Sequence, residues 1–187
     1  MFGKWNKKGF TFIELVIAIT IIAMMAITVV PRFTGRSASA EREKFFTKLN
    51  AILQLTYQNA LATGKIHSIA FYFDKQIIQA EIEQKEKTVK GELKFDPLNL
   101  SYLKTNVSFE NYDLRNFFIK KDDKLAGGGI TKKVWFYITP GGLAQEVIIN
   151  FYDKKLLDDP TANAQYSFVL NPFTVQFKMY DSFQRPS

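Results

Sequence analysis

Cysteine is absent from this sequence and histidine nearly so, with His67 the single example among 187 residues. The lack of thiols excludes disulfides, thiolate zinc sites, iron–sulfur ligation and a cysteine nucleophile, and one histidine is too little for a histidine metal site or triad. Proline (6) and glycine (10) are also scarce, whereas 47% of the residues are apolar and 15% aromatic. This composition excludes disordered, collagen-like and low-complexity chains, and the length predicts one domain with an appendage.

Positive charge is concentrated at the front of the chain. Residues 1–64 contain eight Lys/Arg and three Glu, a balance of +5, whereas residues 65–187 contain seventeen Lys/Arg and fifteen Asp/Glu, a balance of +2. A basic segment around an apolar stretch is typical of membrane topology rather than of phosphate binding. We therefore expect no nucleic-acid partner.

Residues 10–30 form an apolar run whose only charged residue is Glu14. As a helix this run is about 30 Å long, the thickness of the hydrocarbon core of a bilayer. No acidic residue precedes it, and its leader carries Lys4, Lys7 and Lys8. The positive-inside rule therefore predicts a single membrane pass with the amino terminus in the cytoplasm.

Two ordinary explanations of this segment leave features unexplained. Ala38-Ser39-Ala40 resembles a signal-peptidase site, but the apolar run is longer than a signal peptide needs and contains a carboxylate. A plain signal anchor explains the length and the topology but not Glu14. A carboxylate costs up to about 2.5–3.5 kcal/mol at mid-bilayer and is usually retained for a function, or else it reaches the headgroups from near the helix end.

The segment Lys7-Lys8-Gly9-Phe10-Thr11-Phe12-Ile13-Glu14-Leu15 resembles the type IV prepilin signature. Its elements are a short basic leader ending in glycine, an aromatic residue, and a glutamate four positions later in an apolar helix. The resemblance implies that a prepilin peptidase cleaves between Gly9 and Phe10 and methylates the new amine of Phe10. Glycine suits the cleavage position because it has no side chain to obstruct the backbone.

The same resemblance gives Glu14 and Pro31 functions. In a filament, the amine of a neighbouring subunit would neutralise the Glu14 carboxylate within the apolar bundle and fix the stagger between subunits. Pro31 closes the apolar run and matches the family's proline, so we expect a kink or a membrane exit there.

After the apolar run, residues 37–63 predict an amphipathic helix that packs on a domain and ends at Gly64. Its apolar stripe recurs at spacings of three and four: Phe45, Leu49, Ile52, Leu53, Tyr57, Ala60 and Leu61. The helix thus has a membrane half and a packing half.

Beyond Gly64 the apolar period changes to two, which predicts about eight short strands. They cover residues 66–73, 76–83, 88–95, 98–109, 133–139, 146–152, 165–170 and 173–180. We expect the helix stripe to help cover a sheet face bearing Phe71, Phe73, Trp135 and Tyr137.

Two patterns in this second half resemble the GspH/FimT-like minor pseudopilins. They are Ile138-Thr139-Pro140-Gly141-Gly142 before a strand, and a turn at Asn171-Pro172 between the last two strands. The expected fold is α+β, with a long amino-terminal helix packed on an antiparallel β-rich head. The expected segments are a leader (1–9), a transmembrane filament helix (10–30), its amphipathic continuation (31–64) and a periplasmic head (65–187).

Other motifs have simpler explanations. Asp122-Asp123 and Asp158-Asp159 lack calcium-loop spacing and are expected to be solvated loop charges, so we expect no metal. Gly127-Gly128-Gly129 lacks the context of a phosphate-binding loop. His67 is expected to be structural or exposed. A DNA-binding face is disfavoured by the acidic neighbours of three lysine pairs: Lys120-Lys121, Lys132-Lys133 and Lys154-Lys155.

These features together predict a minor pseudopilin of the type II secretion pseudopilus, a structural subunit with no enzymatic activity and no cofactor. The expected partners are prepilin peptidase, other pseudopilins or pilins, and an inner-membrane assembly platform. The expected location is the bacterial inner membrane, with the head in the periplasm. Alternatives are a minor pilin of a type IV pilus or DNA-uptake system, a signal-anchored periplasmic enzyme or binding module, and a soluble nucleic-acid binder.

Overall fold

The computed structural model describes residues 12–87, 93–101, 103–127 and 131–187. The chain divides into two compact units, Met1–Ala40 and Glu41–Ser187. The second unit contains the end of the long helix and all of the described strands. The predicted leader and its cleavage point lie outside the described residues.

Helix α1 spans Phe12–Thr63 and passes through the position of Pro31, where a kink stays a prediction. The helix ends where the sequence predicted. Gly64 has a positive φ of 63°, and its N–H donates to the Ala60 carbonyl at 3.0 Å. This left-handed glycine is the usual conformation that closes a helix.

The second unit contains two antiparallel sheets. In chain order the strands are β1 (His67–Tyr72), β2 (Ile77–Lys87), β3 (Leu93–Pro97), β4 (Asn106–Ser108), β5 (Tyr112–Ile119), β6 (Asp122–Asp123), β7 (Lys133–Ile138), β8 (Val147–Asp153), β9 (Gln165–Asn171) and β10 (Gln176–Tyr180). The first sheet has the order β3-β2-β1-β7, with β4 also paired to β2, and the second has the order β10-β9-β8-β5-β6. The expected α+β class with an antiparallel head is confirmed.

The apolar stripe of α1 packs into the core of the second unit. Leu49 and Leu53 are almost completely buried, together with Phe45, Ile52 and Ala60. The sheets contribute aromatic side chains to the same core: Phe71, Phe117, Phe136, Phe151 and Phe168. Leu61 was expected in the stripe but is 48% exposed, whereas Thr56 is buried and donates its hydroxyl to the Ile52 carbonyl at 2.7 Å.

Polar side chains of α1 also bind the backbone of β10, the outer strand of the second sheet, and of the turn that precedes it. Asn50 accepts from the Phe177 N–H and donates to the Phe177 carbonyl. Gln54 donates to the carbonyls of Thr174 and Val175 at 2.9 and 3.0 Å. The helix therefore satisfies part of an edge that would otherwise present unpaired backbone groups.

The structure corrects the expected orientation of β7. Phe71 is buried and Phe73 packs against the core as expected, but Trp135 is 40% exposed and Tyr137 lies on the same outer face. The inward side chains of β7 are Val134, Phe136 and Ile138. Every residue from 134 to 138 is apolar or aromatic, so the pattern did not distinguish the two faces.

Two strand predictions were also wrong. Strand β5 was not predicted, although it pairs with β8 along its length. The predicted strand at 98–109 is reduced to the three residues of β4 and an isolated bridge between Leu100 and Leu103. The turn after Asn171 is confirmed, because β9 ends at that residue and β10 returns from Gln176.

Candidate functional site: the amino-terminal apolar helix

The residues predicted to carry processing and assembly fall at the start of the chain. Glu14 lies in the first turn of α1, and Pro31 lies within the same helix. The other predicted site residues lie outside the described residues: Lys4, Lys7, Lys8, Gly9 and Phe10. Cleavage and methylation at Gly9 and Phe10 stay predictions.

The front of α1 presents large apolar side chains on all sides. Phe12 is 83% exposed, Ile13 64% and Met24 67%, and the exposed set continues between them with Leu15, Val16, Ile17, Ile19, Ile21 and Ile22. Successive residues of a helix are about 100° apart, so this set surrounds the helix axis. A helix that is apolar all round is normally buried in protein or lipid. The described front of α1 therefore carries an apolar surface around its axis.

Polar groups on this segment are few and positioned by the helix. Thr20 donates its hydroxyl to the Val16 carbonyl at 2.8 Å, which satisfies the hydroxyl without an external partner. The Glu14 carboxylate lies near the amino end of α1, where the helix dipole favours negative charge. The segment thus combines an apolar surface with one carboxylate at its beginning.

Among the described residues, no helical segment has both the length and the apolar character that a membrane crossing requires.

At the start of the second unit, charged residues tie α1 to β8 and the short 3-10 helix Lys154–Leu156. Arg42 lies 4.0 Å from the Asp153 carboxylate, and its guanidinium stacks 3.9 Å from the centre of the Tyr166 ring. One residue earlier, Glu41 forms an ion pair with Lys155. Burial raises the pKa of Asp153, against the opposing effect of the Lys155 N–H and the Arg42 charge. This attachment was not predicted, because α1 and β8 are far apart in sequence.

A buried carboxylate lies on the outer face of the first sheet. Glu81 is 1% exposed and accepts hydrogen bonds from Ser68 at 2.8 Å, from Tyr72, and from Lys133 at 2.9 and 3.0 Å. Burial alone would lower the pKa of Lys133, but its bonds to Tyr72 and Glu81 outweigh burial and raise it. The ion pair therefore keeps Lys133 charged beside the exposed Trp135.

His67 is a structural residue, one of the two roles expected for it. It is completely buried at the start of β1, with Nδ1 3.0 Å from the Lys65 carbonyl and Nε2 2.8 Å from Asn59 Oδ1. Burial lowers its pKa. Both partner atoms as placed are acceptors. A neutral imidazole that donates from Nδ1 to the Lys65 carbonyl therefore needs the Asn59 amide turned so that its NH2 group donates to Nε2.

The aspartate pairs differ in what they do. Asp123 was expected to be a solvated loop charge, but it accepts from the backbone N–H groups of Phe117 and Leu125 and from the Asn116 amide. It thereby organises the β5–β6 hairpin. Asp159 lies in an exposed turn and accepts from the Thr161 N–H and hydroxyl. Among the residues that the structure describes, no three His, Cys, Asp or Glu side chains form a group that could hold a metal ion.

Several lysines of the three lysine pairs bind other groups of the second unit. Lys133 binds Glu81, Lys155 binds Glu41, and Lys154 donates to the Glu110 carbonyl at 2.6 Å. Gly127 lies in a turn, and Gly128 and Gly129 lie outside the described residues.

Comparison with known proteins identifies the front segment. Residues 6–30 match the family model described as "Prokaryotic N-terminal methylation motif". The chain carries a prepilin-type methylation motif. The match covers Gly9, Phe10 and Glu14, and it indicates a type IV pilin-like or pseudopilin subunit.

Among solved structures, two of the minor pseudopilin EpsH from the type II secretion system of Vibrio cholerae are similar to this chain. The first has a TM-score of 0.46 at 10% identity and covers 76% of this chain and 95% of its own. The second has a TM-score of 0.43 at 10% identity and covers 81% of this chain and 94% of its own. A comparison with curated proteins gave no match.

Proposed function

We propose that this protein is a minor pseudopilin of a type II secretion pseudopilus. In this proposal, prepilin peptidase cleaves after Gly9 and methylates Phe10, and the mature chain enters a filament through the front of α1. The head would lie in the periplasm, and the protein would act as a structural subunit rather than as an enzyme. The observation that carries the proposal is the methylation motif over residues 6–30.

The exposed apolar surface of α1 supports a role in assembly. Before assembly, that surface needs the lipid of the inner membrane, in which we place residues 10–30 with the amino terminus in the cytoplasm. In the filament, the same surface would pack against the helices of neighbouring subunits. One apolar helix thus serves two environments in turn, since both lack water.

In this proposal, Glu14 fixes the stagger between neighbouring subunits in the filament. A carboxylate in an apolar bundle is costly, but the amine created at Phe10 of an adjoining subunit would offset that cost. The pair forms only at the register that brings the two groups together. In this way, cleavage of the leader would convert a membrane protein into an assembly-competent subunit.

A gene-deletion experiment tests the choice of machine. In the native bacterium, we expect the deletion to reduce release of secreted proteins and to leave twitching motility and DNA uptake unchanged. Complementation with the wild-type chain is the control for polar effects. Loss of twitching or of DNA uptake with normal secretion would instead assign the protein to a type IV pilus or DNA-uptake system.

A further inference from the structure

Two cavities with shared lining residues lie between the β5–β6 turn and the carboxyl-terminal segment 182–187. The smaller has a volume of about 330 Å³, and its lining residues are Asn116, Phe118, Lys121, Arg185 and Pro186. The larger has a volume of about 600 Å³ and is also lined by Lys121 and Arg185, together with Lys120. A lysine of the turn and an arginine of the carboxyl-terminal segment therefore line both cavities.

The carboxyl-terminal segment is held against the second sheet by two buried polar side chains. Asn150 of β8 and Ser167 of β9 lie opposite each other in the sheet and are 2% and 0% exposed. Asn150 accepts from the Gln184 N–H at 3.2 Å and donates to the Gln184 carbonyl at 2.9 Å. Ser167 accepts from the same N–H at 3.0 Å. These hydrogen bonds fix the backbone one residue before Arg185.

The two lysines of the cavities are positioned by a fixed turn. Lys120 and Lys121 connect β5 to β6. Lys120 has a positive φ of 56°, and its N–H donates to the Glu146 carbonyl at 3.0 Å. The turn is therefore tied to the residue that precedes β8, while both lysine side chains stay exposed.

The basic side chains of these cavities are not neutralised within the chain. Lys120, Lys121 and Arg185 form no ion pair with any residue that the structure describes. Lys124, in the same hairpin, differs from them because it is paired with Asp122. The larger cavity includes one acidic side chain, that of Glu146, whereas the smaller is lined by two cations and no carboxylate. The smaller cavity therefore favours a negatively charged occupant.

The apolar part of the lining favours a peptide over a small anion. Phe118 and Pro186 flank the two cations in the smaller cavity, and Ile148 and Val169 line the larger one. An inorganic anion would bind the cations and leave this apolar surface uncovered. A segment that carries both acidic and apolar side chains would contact both parts of the lining.

We propose that Lys121 and Arg185, brought together by the β5–β6 turn and the anchored carboxyl-terminal segment, bind an acidic segment of a partner protein. A carboxylate of the segment would accept from the Arg185 guanidinium and from the Lys121 ammonium group. Apolar side chains next to that carboxylate would contact Phe118 and Pro186. This inference goes beyond the proposed function, concerns the second unit alone and does not depend on leader processing.

Binding of a synthetic peptide tests the proposal. The full-length chain in an uncharged detergent is titrated against the peptide Gly-Leu-Glu-Glu-Leu-Glu-Gly, which carries an uncharged fluorophore, and fluorescence polarisation is read. The matched peptide replaces every glutamate with glutamine. We expect the glutamate peptide to bind at least about tenfold more tightly, because the glutamine peptide lacks the complementary charge.

Three substitutions of equal charge locate the binding site. We expect Lys121→Gln and Arg185→Gln each to weaken binding of the glutamate peptide at least about threefold. Lys124→Gln is the matched control, because it removes the same charge from a lysine of the same hairpin that is already paired with Asp122. We expect it to leave the affinity unchanged. All three residues are exposed, and circular dichroism checks that the variants fold.

Absence of binding at millimolar peptide, or equal binding of the two peptides, would overturn the proposal. Equal weakening by Lys121→Gln and Lys124→Gln would also contradict it, because net charge alone would then attract the peptide. Competition separates the remaining occupants at constant ionic strength. We expect inorganic phosphate and a single-stranded oligonucleotide to leave the peptide bound, and displacement by either at a lower concentration than the unlabelled peptide would assign the cations to phosphate groups instead.

Discussion

Asn50 of α1 binds Phe177 of β10 as a neighbouring strand would. Asn50 Oδ1 accepts from the Phe177 N–H at 2.8 Å, and Asn50 Nδ2 donates to the Phe177 carbonyl at 3.1 Å. The two residues are 127 positions apart. A single amide side chain therefore joins the helix to the edge of the second sheet and satisfies both backbone groups at that position.

Removal of this amide should weaken the helix–sheet contact. We expect Asn50→Ala to lower the free energy of unfolding by about 1–3 kcal/mol, because the Phe177 N–H and carbonyl lose their partners. Urea unfolding measures the change. Gln58→Ala, at an exposed position of the same helix, is the control and should stay within about 0.5 kcal/mol of wild type. Equal effects of the two substitutions would contradict this role of Asn50.

Gly142 should not tolerate a side chain. Its φ is +75°, and a Cβ there would lie 2.8 Å from Tyr57 Cε2 and 3.2 Å from Leu61 Cδ2. We expect Gly142→Ala to destabilise the protein by about 1–3 kcal/mol through backbone strain and crowding against α1. Gly127→Ala is the matched control, since a Cβ at Gly127 meets nothing within 4 Å. Thermal unfolding of the two variants side by side would show whether they differ as expected.

His67 should make stability depend on pH. Burial lowers its pKa from the ordinary value of 6.5, so the unfolded chain takes up this proton at a higher pH than the folded chain. The contribution of neutral His67 to the free energy of unfolding is fully present above pH 6.5. It is lost as the pH falls from 6.5 towards the lower pKa of the folded state. The slope in that window is at most about 1.4 kcal/mol per pH unit.

The comparison of wild type with His67→Gln isolates this proton from the other titrating groups. Asp153 acts in the opposite direction, because its raised pKa favours the folded state as the pH falls. We expect the stability difference between the two proteins to change between pH 7 and pH 5 in urea unfolding. A constant difference across that range would show that His67 does not titrate differently in the folded and unfolded chains.

Part of the fold could be predicted because local patterns determined it. The stripe of α1 and the glycine that ends it follow from helical periodicity and from the need for a positive φ at Gly64. Strand β5 could not be found in the same way. Its register shifts between Leu114 and Asn116, which leaves Arg115 as an extra residue and moves the inward side chains from even to odd positions.

The side-chain clusters of the head could not be predicted, because they form between residues that are distant in sequence. Nothing near Glu81 indicates that it pairs with Lys133, 52 positions away. The exposed Trp135 was assigned to the core because a continuous apolar run does not show which face is buried. The amino-terminal motif could be recognised in the sequence because it is one short contiguous segment, residues 6–30.

Replacement of Glu14 should separate membrane insertion from assembly. We expect Glu14→Val to enter the membrane normally, since valine is better tolerated there than a carboxylate, and to copurify with filament subunits at least about tenfold less. Glu14→Asp retains a carboxylate and is the matched control, which should assemble better than the valine variant. Quantitative immunoblots of membrane and sheared filament fractions measure both steps. Normal assembly of Glu14→Val would contradict a function for this carboxylate.

Mass spectrometry of the amino terminus of the protein purified from its native cells tests the central claim most directly. The account predicts a chain that begins with N-methylated Phe10, in the segment that matches the methylation motif. A chain that begins at Glu41 would indicate an ordinary signal peptidase, and one that retains Met1 a permanent anchor. Either result would contradict the proposal that cleavage after Gly9 creates the amine that pairs with Glu14.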